Sequence, residues 1–228
     1  MPTLGNRCGH DPRAPRLYTP RGELARVRRP RIIREFQQRL ERVYWSAADT
    51  LPTLAGLNAR RYKRSERLEA CAALLGALAD FVDLVSLRIG RPAAGEAFAG
   101  VRLEDLAELA GLELRRAERA YHDLVAAGTV RTHPIARRVA PGEYRGLAAI
   151  RTLSENLFRA LGLGAWLRHE RRKAYRRQQQ RQAVADDAAA GRAGLALEGL
   201  KALTRRPRSP REWLEATRAI QKRSKPPD

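Results

Sequence analysis

Five polar side chains recur at helical spacing in the middle of this 228-residue chain: Arg115, Arg116, Arg119, His122 and Asp123. The guanidinium group of arginine presents a planar fork of donors that fits phosphate oxygens and the guanine edge. The intervening positions other than Glu118 are apolar, so the other face of the same helix is predicted to pack inward. That inner face consists of Leu114, Ala117, Ala120 or Tyr121, Leu124 and Val125. The spacing therefore predicts a helix from about residue 113 to Gly128, with a basic outer face.

A solvated surface helix is the plainer interpretation of the same arginines, since Glu118 lies within salt-bridge spacing of them. Two features of the sequence favour DNA contact instead, with Arg115, Arg116, Arg119 and His122 as the candidate residues. The arginines lie in the N-terminal half of the helix, where recognition helices present side chains to base edges. A basic hairpin is also predicted directly after the helix.

The elements before this helix predict a helix-turn-helix. An acidic helix is expected over residues 103–110, and Gly111 can adopt the left-handed conformation that ends it. The small residues Ala117 and Ala120 would let the two helices cross closely. The pattern is that of a DNA-reading motif.

A β-hairpin is predicted after the second helix, with strands at residues 129–139 and 144–151. Pro134 restricts the first strand to a sheet edge or marks a bulge, and residues 140–143 form the turn. A basic hairpin after a helix-turn-helix is the outline of a winged helix. Its candidate DNA-binding residues are Arg131, Arg137, Arg138 and Arg145.

A basic run follows at residues 168–181, where Glu170 is the single acid. A run of this charge will not bury itself, so it predicts a phosphate-binding helix. An RNA-binding segment and a solubilising linker are the alternatives. The candidate contacts are Arg168, Arg171, Arg172, Lys173, Arg176 and Arg177.

The periodicity predicts a mainly α fold with a winged helix-turn-helix core, a small hairpin wing and basic helical or disordered extensions. A helix is expected over residues 65–82 with Ser65 as its N-cap, and a loop over residues 90–100. Residues 1–30 are expected to be a disordered basic arm. The predicted organisation continues with a helical domain at 31–167, in which the winged helix covers about 64–151. A basic helix at 168–182 and a flexible tail at 183–228, with a short terminal helix, complete it.

The charge balance predicts a polyanionic partner. The chain has 45 Lys and Arg residues against 25 Asp and Glu, a formal net charge of +20. Nucleic acid is favoured over a membrane surface, because no apolar run is long enough to span a bilayer. No secretory signal is apparent, and Cys8 and Cys71 do not form a disulfide framework, so we expect a reducing cytoplasm.

The sequence lacks the motifs of common active sites. It has no phosphate-binding loop, no cysteine–histidine spacing suited to zinc, and only isolated histidines. We therefore expect a protein that is not an enzyme and that uses no metal and no cofactor.

The succession of segments at 106–112, 116–128 and 157–162, followed by the basic helix, resembles plasmid replication initiators of the RepA type. The similarity covers about residues 60–182. The resemblance implies a winged helix that binds double-stranded DNA at a plasmid origin, opens the strands locally and recruits host replication proteins. By position, Arg115, Arg116 and Arg119 match the recognition helix, and Arg137, Arg138 and Arg145 match the wing.

Two other functions are compatible with the sequence. A winged-helix transcriptional repressor would use the same helix, and a basic RNA-binding accessory protein would use mainly the arms. The sequence leaves the oligomeric state open, and a homodimer is compatible with it.

Overall fold

A computed structural model describes residues 10–57, 63–93, 96–140 and 142–204 of the chain. The chain divides into two compact units, with the boundary between Tyr175 and Arg176 in the sequence. The first unit contains a helical core and a small sheet. The predicted mainly α class is confirmed.

The helices and strands of the structure begin and end at the following residues. The first part of the chain contains α1 (Glu23–Arg26), α2 (Arg31–Trp45), α3 (Ala47–Thr50), α4 (Pro52–Ala55) and α5 (Ser65–Ala79). The middle contains β1 (Arg88–Ala93), β2 (Glu96–Gly100), α6 (Leu103–Leu109), α7 (Leu114–Ala126), β3 (Val130–Ala140) and β4 (Glu143–Leu153). Helices α8 (Glu155–Ala160) and α9 (Gly164–Thr204) follow.

Helix α5 is the centre of the first unit. Every residue from Leu68 to Ala79 is buried, because α2 packs on one side of the helix and α7 on another. Many of these residues are alanine, which lets neighbouring backbones approach closely. Phe36 of α2 completes the core against Phe158 of α8, with ring centroids 4.7 Å apart. Burial of each such ring contributes about 1.5–3 kcal/mol.

The start of α5 differs from the predicted capping. Arg64 occupies the N-cap position without a side-chain cap, and Ser65 is the first helical residue. The Ser65 hydroxyl instead lies 2.9 Å from the His10 Nε2 atom, which explains why it does not cap the helix. Cys71 is buried in α5, and this burial raises the pKa of its thiol to about 12.

The strands form one antiparallel sheet in the order β2-β1-β4-β3. The loop predicted over residues 90–100 is wrong, because these residues lie largely in the β1–β2 hairpin. Pro92 weakened the strand signal, yet it lies at a register shift between Arg91 and Ala93, where a ladder hydrogen bond is not required. Pro134 behaves as predicted: β3 is an edge strand, and its register shifts between His133 and Ile135.

The N-terminal segment packs against the helical core from residue 10 onward, so the predicted disordered arm is wrong for residues 10–30. The Tyr18 hydroxyl donates a hydrogen bond to Asp80, and the His10 side chain is fully buried. Isolated Tyr and His residues carry no periodic signal, which is why the sequence did not indicate this packing. Residues 1–9 lie outside the described residues.

Helix α9 is longer than the sequence predicts. Gly162, with φ of 72°, separates it from α8. The helix then continues through residues 183–194, where a flexible tail was expected, because alanine, the most frequent residue of this stretch, has the highest helix propensity. The predicted terminal helix lies outside the described residues. Within the part of the chain that is described, no helix is both long and apolar enough to cross a membrane.

Candidate nucleic-acid interface

Helices α6 and α7 meet at a tight turn around Gly111. The Gly111 N–H donates to the Glu108 carbonyl at 3.0 Å, and the Leu112 N–H donates to the Ala107 carbonyl at 2.8 Å. These two bonds require the left-handed φ of 66° at Gly111, where a side chain would be strained. The turn therefore forms as the sequence predicts, and it fixes the direction of α7.

The outer face of α7 carries three of its four predicted DNA-binding residues. Ala117, Ala120 and Leu124 are buried. Arg115, Arg119 and His122 are exposed on the side opposite to them. Together they form a continuous basic face on one side of the helix, which we call the α7 face.

Arg116 does not belong to the α7 face, although the sequence predicts that it does. Its Nη2 atom donates to Glu69 Oε1 at 2.8 Å and to the Glu66 carbonyl at 2.9 Å. Only 18% of its side chain is exposed. Arg116 therefore attaches α7 to α5, and its partner Glu69 could not be found from local spacing.

Asp123 also turns inward, contrary to its predicted place on the exposed face. The Lys63 ammonium group and the Arg67 guanidinium group both bind its carboxylate. Burial alone would raise the pKa of Asp123, but these two cations outweigh it and hold the pKa below its ordinary value. Arg116 and Asp123 thus attach α7 to the beginning of α5 at two points.

Two apolar residues of α7 also depart from the predicted inner face. Leu114 and Val125 are 38% and 37% exposed. Residues 114 and 125 are separated by about three helical turns, so their side chains lie along the same edge of the helix. This edge is opposite to Asp123. Apolar side chains at such positions can contact thymine methyl groups.

A network of hydrogen bonds around the buried Glu69 carboxylate connects α7 with α5 and the N-terminal segment. Glu69 accepts hydrogen bonds from the Arg16 N–H and from Arg116, and His10 Nδ1 lies 2.8 Å from Glu69 Oε2. A carboxylate can only accept, so His10 Nδ1 carries a proton. Burial alone would raise the pKa of Glu69, yet the hydrogen bonds from Arg16, His10 and Arg116 lower it below the ordinary value.

The sheet is attached to α7 through Arg151 and Tyr121. The Arg151 guanidinium lies 5.0 Å from the centroid of the Tyr121 ring and donates to the Val101 carbonyl. The Tyr121 hydroxyl in turn hydrogen-bonds Thr132 on β3. Strand β4, strand β3 and helix α7 are therefore held together next to the α7 face. Sequence reasoning missed Arg151, which lies within an ordinary strand pattern.

The β3–β4 hairpin forms where the sequence predicts it. Ala140 pairs with Glu143, and Gly142 has φ of 84° at the turn. Arg131 is exposed at the start of β3. Arg137 is aligned with Arg145 and Arg138 with Tyr144 in the ladder. The side chains of Arg137, Arg138 and Arg145 lie outside the described residues.

The first three turns of α9 present three exposed cations of the predicted basic helix: Arg168, Arg172 and Lys173. Arg171 is different, because it binds the Glu155 carboxylate and donates from Nη2 to the Val85 carbonyl at 2.9 Å. Arg171 therefore attaches α9 to α8 and to the residues before β1. Arg176 and Arg177 are exposed at the beginning of the second unit.

Within the described ranges, no group of three or more His, Cys, Asp and Glu residues is arranged to hold a metal ion. No known family model, curated protein or solved structure matches the chain.

Proposed function

We propose that this chain is a DNA-binding protein without catalytic activity, which reads duplex DNA with α7 in a winged helix-turn-helix. The order of elements supports the proposal. Helix α5, strand β1, helices α6 and α7, and the β3–β4 hairpin follow one another, and β4 lies between β1 and β3 in the sheet. This order of elements is the one expected of a winged helix with β2 as a further strand, and it therefore supports the proposal.

The dimensions and exposure of α7 support major-groove binding. Its 13 residues correspond to a length of about 20 Å, and a single helix fits the roughly 12 Å width of the major groove. The α7 face is free of ion pairs within the described part of the chain, whereas Arg116 and Asp123 beside it are bound to α5. This contrast between exposed and attached polar residues is the observation that carries the proposal.

Exposed cations on other elements suit contact with the phosphate backbone. Arg131 follows α7 directly on β3, and Arg168, Arg172 and Lys173 are exposed on α9. The net charge of +20 supplies long-range attraction to a polyanion. In this proposal α7 reads bases, while these cations neutralise phosphates.

The resemblance to plasmid replication initiators supplies the proposed biological role: recognition of plasmid origin DNA as a step in replication initiation. The protein would act by binding DNA and host replication proteins, with no bond-forming step of its own. A plasmid that carries this gene and its candidate origin is expected to replicate in a host that lacks other initiators. Failure to replicate, with specific DNA binding intact, would contradict the initiator role and leave the DNA-reading role standing.

Replacement of Arg119 with alanine is expected to weaken binding to the preferred duplex by about 1–3 kcal/mol and to relax sequence preference. The reason is that Arg119 lies exposed on the α7 face, one helical turn from Arg115. The preferred duplex is first identified by selection from random sequences with the wild-type chain. Binding of wild type and variant is then measured on that duplex and on single-base variants of it.

Arg159→Ala is the matched control for this experiment. Arg159 is an exposed arginine on α8, and its replacement removes the same charge. It should leave the sequence preference unchanged. Equal weakening of Arg119→Ala on all sequences would show that Arg119 contacts phosphate. Selection of no preferred sequence by the wild type would refute the reading role of α7.

A triple variant, R168Q/R172Q/K173Q, is expected to reduce the salt dependence of duplex binding. Each phosphate contact releases counterions, so the slope of log K against log salt should fall by up to about 0.9 for each lost contact. Arg171 is retained in this variant because its bonds to Glu155 and Val85 hold α9 in place. The measurement is a series of binding titrations between low and moderate salt.

The matched control removes the same charge from other exposed arginines: R13Q/R42Q/R159Q. Its slope should stay near that of the wild type. A wild-type slope in the α9 variant would show that these three cations do not contact DNA. Equal reductions in both variants would indicate a general charge effect in place of a defined contact.

A further inference from the structure

A cleft lined by four arginines lies between residues 20–29 and the beginning of α2. Its volume is about 280 Å³, and we call it the arginine cleft. The four arginines are Arg26, Arg28, Arg29 and Arg34. The cleft exists only because residues 10–30 pack against the core, so it could not be seen in the sequence.

The four arginines of the cleft differ from the three arginines that attach elements of the fold to one another. Arg67, Arg116 and Arg171 each bind a carboxylate. Among the described residues, none of the four cleft arginines forms an ion pair. The Nε atom of Arg29 is buried and has no hydrogen-bond partner in the described structure. A buried donor without a partner destabilises a fold, and an oxygen acceptor placed in the cleft would satisfy it.

The acidic residue in the cleft does not supply that acceptor. Asp80 accepts hydrogen bonds from the Tyr18 hydroxyl and from Gln37 Nε2, the latter at 3.0 Å. Four arginines therefore face one carboxylate that is already engaged. This excess of positive charge in a confined space suits an anion with several acceptor oxygens, and phosphate is the anion whose geometry guanidinium groups match.

One wall of the cleft is apolar. It includes Leu24, which is partly buried, and Val27, which is 46% exposed. A ligand that fills the cleft would therefore combine a phosphate with a less polar part. A nucleotide has both, and its base or sugar can lie against the apolar wall while the phosphate contacts the arginines.

The arginine cleft is separate from the α7 face. Cys71 of α5 contacts Ala120 of α7, whereas Asp80 of the cleft follows the last residue of the same helix. Nine residues of helix separate the two positions, which corresponds to about 14 Å along α5. Occupation of one site therefore leaves the other accessible.

We propose that the arginine cleft binds a nucleotide through its phosphate groups, independently of duplex binding at α7. The nucleotide can be free or part of a single strand, since both present the same phosphate chemistry. Three probes distinguish these sources: ATP, inorganic pyrophosphate and a single-stranded dT10 oligonucleotide.

The test compares the full chain with the double variant R29Q/R34Q by calorimetric titration of each probe. Loss of guanidinium contacts to a phosphate should weaken the tightest-binding probe at least about tenfold. Arg42→Gln is the control, since Arg42 is exposed on α2 and does not line the cleft. It should change the affinity less than about twofold. Tightest binding of ATP would assign the site to free nucleotides, and tightest binding of dT10 to a strand.

Two results would overturn the proposal. One is that no probe binds the wild type more tightly than the double variant. The other is that duplex and probe binding weaken equally in the double variant, which would indicate a general charge effect. If R29Q/R34Q does not fold, Val27→Glu replaces it. Val27 is exposed, and the carboxylate of the introduced glutamate would repel phosphate from the cleft. Unchanged binding in Val27→Glu would overturn the proposal as well.

Discussion

Replacement of Glu69 with alanine is expected to lower the free energy of unfolding by about 3–5 kcal/mol. The carboxylate accepts hydrogen bonds from the Arg16 N–H and Arg116 and lies 2.8 Å from His10 Nδ1. Alanine would leave these buried donors without an acceptor, and the Arg116 charge without its partner. Thermal unfolding should show the loss as a fall in Tm on the order of 10 °C.

Glu69→Gln is the matched control, because it keeps the shape and one acceptor oxygen but removes the charge. Its cost should be smaller than that of alanine. Comparison with this control also isolates the pH dependence of the stabilisation that Glu69 contributes. The pKa of Glu69 is lowered in the folded state, so its stabilisation is complete above the ordinary glutamate pKa of about 4.3 and is lost as the pH falls through the lowered value.

The wild type is therefore expected to lose its stability advantage over Glu69→Gln in acid and to keep it at neutral pH. Chemical denaturation of both proteins at a series of pH values measures the difference. Asp123 titrates in the same direction in both proteins and cancels in the comparison. If the difference in unfolding free energy between the two proteins stayed constant down to pH 3, the charge of Glu69 would not be the source of the stabilisation.

The Glu69 network also connects stability with the proposed DNA reading. Arg116 attaches the first turn of α7 to α5, so its loss should loosen the element that carries Arg115 and Arg119. This explains why an arginine that looks like a DNA contact in the sequence has a structural role. A guanidinium group uses the same N–H donors to contact DNA and to form a structural ion pair. The partner that gives Arg116 its structural role is Glu69, which lies 47 residues away in the chain.

Features set by neighbouring residues were predictable from the sequence. The turn at Gly111, the apolar inner residues Ala117 and Leu124, and the bulge near Pro134 all depend on local conformation or helical period. The turn at Gly111 and the apolar inner residues orient α7. The exposed residues of the α7 face follow from the same period, which is why most of them were found.

Features set by distant contacts were not predictable. Arg171 belongs to a basic run in the sequence, but Glu155 and the Val85 carbonyl bind it in the fold. Residues 10–30 have a composition typical of disorder, yet His10 and Tyr18 pack against α5. A few well-placed side chains are sufficient for such packing, and average composition does not register them.

Replacement of Gly76 with alanine is expected to destabilise the fold by about 1–3 kcal/mol, although alanine favours helix over glycine by about 1 kcal/mol at an exposed position. A Cβ atom at Gly76 would lie 2.5 Å from the Tyr18 Cβ atom and 2.9 Å from Tyr18 Cγ. The N-terminal segment would have to move away from α5. Limited proteolysis should then cleave residues 10–30 faster than in the wild type, and denaturant unfolding gives the change in free energy.

A double-mutant cycle with Tyr18→Gly distinguishes this contact from a general defect in α5. Once Tyr18 has no side chain, the space beside Gly76 is open, and Gly76→Ala should become neutral or stabilising by up to about 1 kcal/mol through helix propensity. The difference between the two backgrounds corresponds to a coupling free energy of about 1–4 kcal/mol between the two positions. An equal cost of Gly76→Ala in both backgrounds would show that Tyr18 does not pack on this glycine. The N-terminal segment, and with it the arginine cleft, would then not be held against the core through this contact.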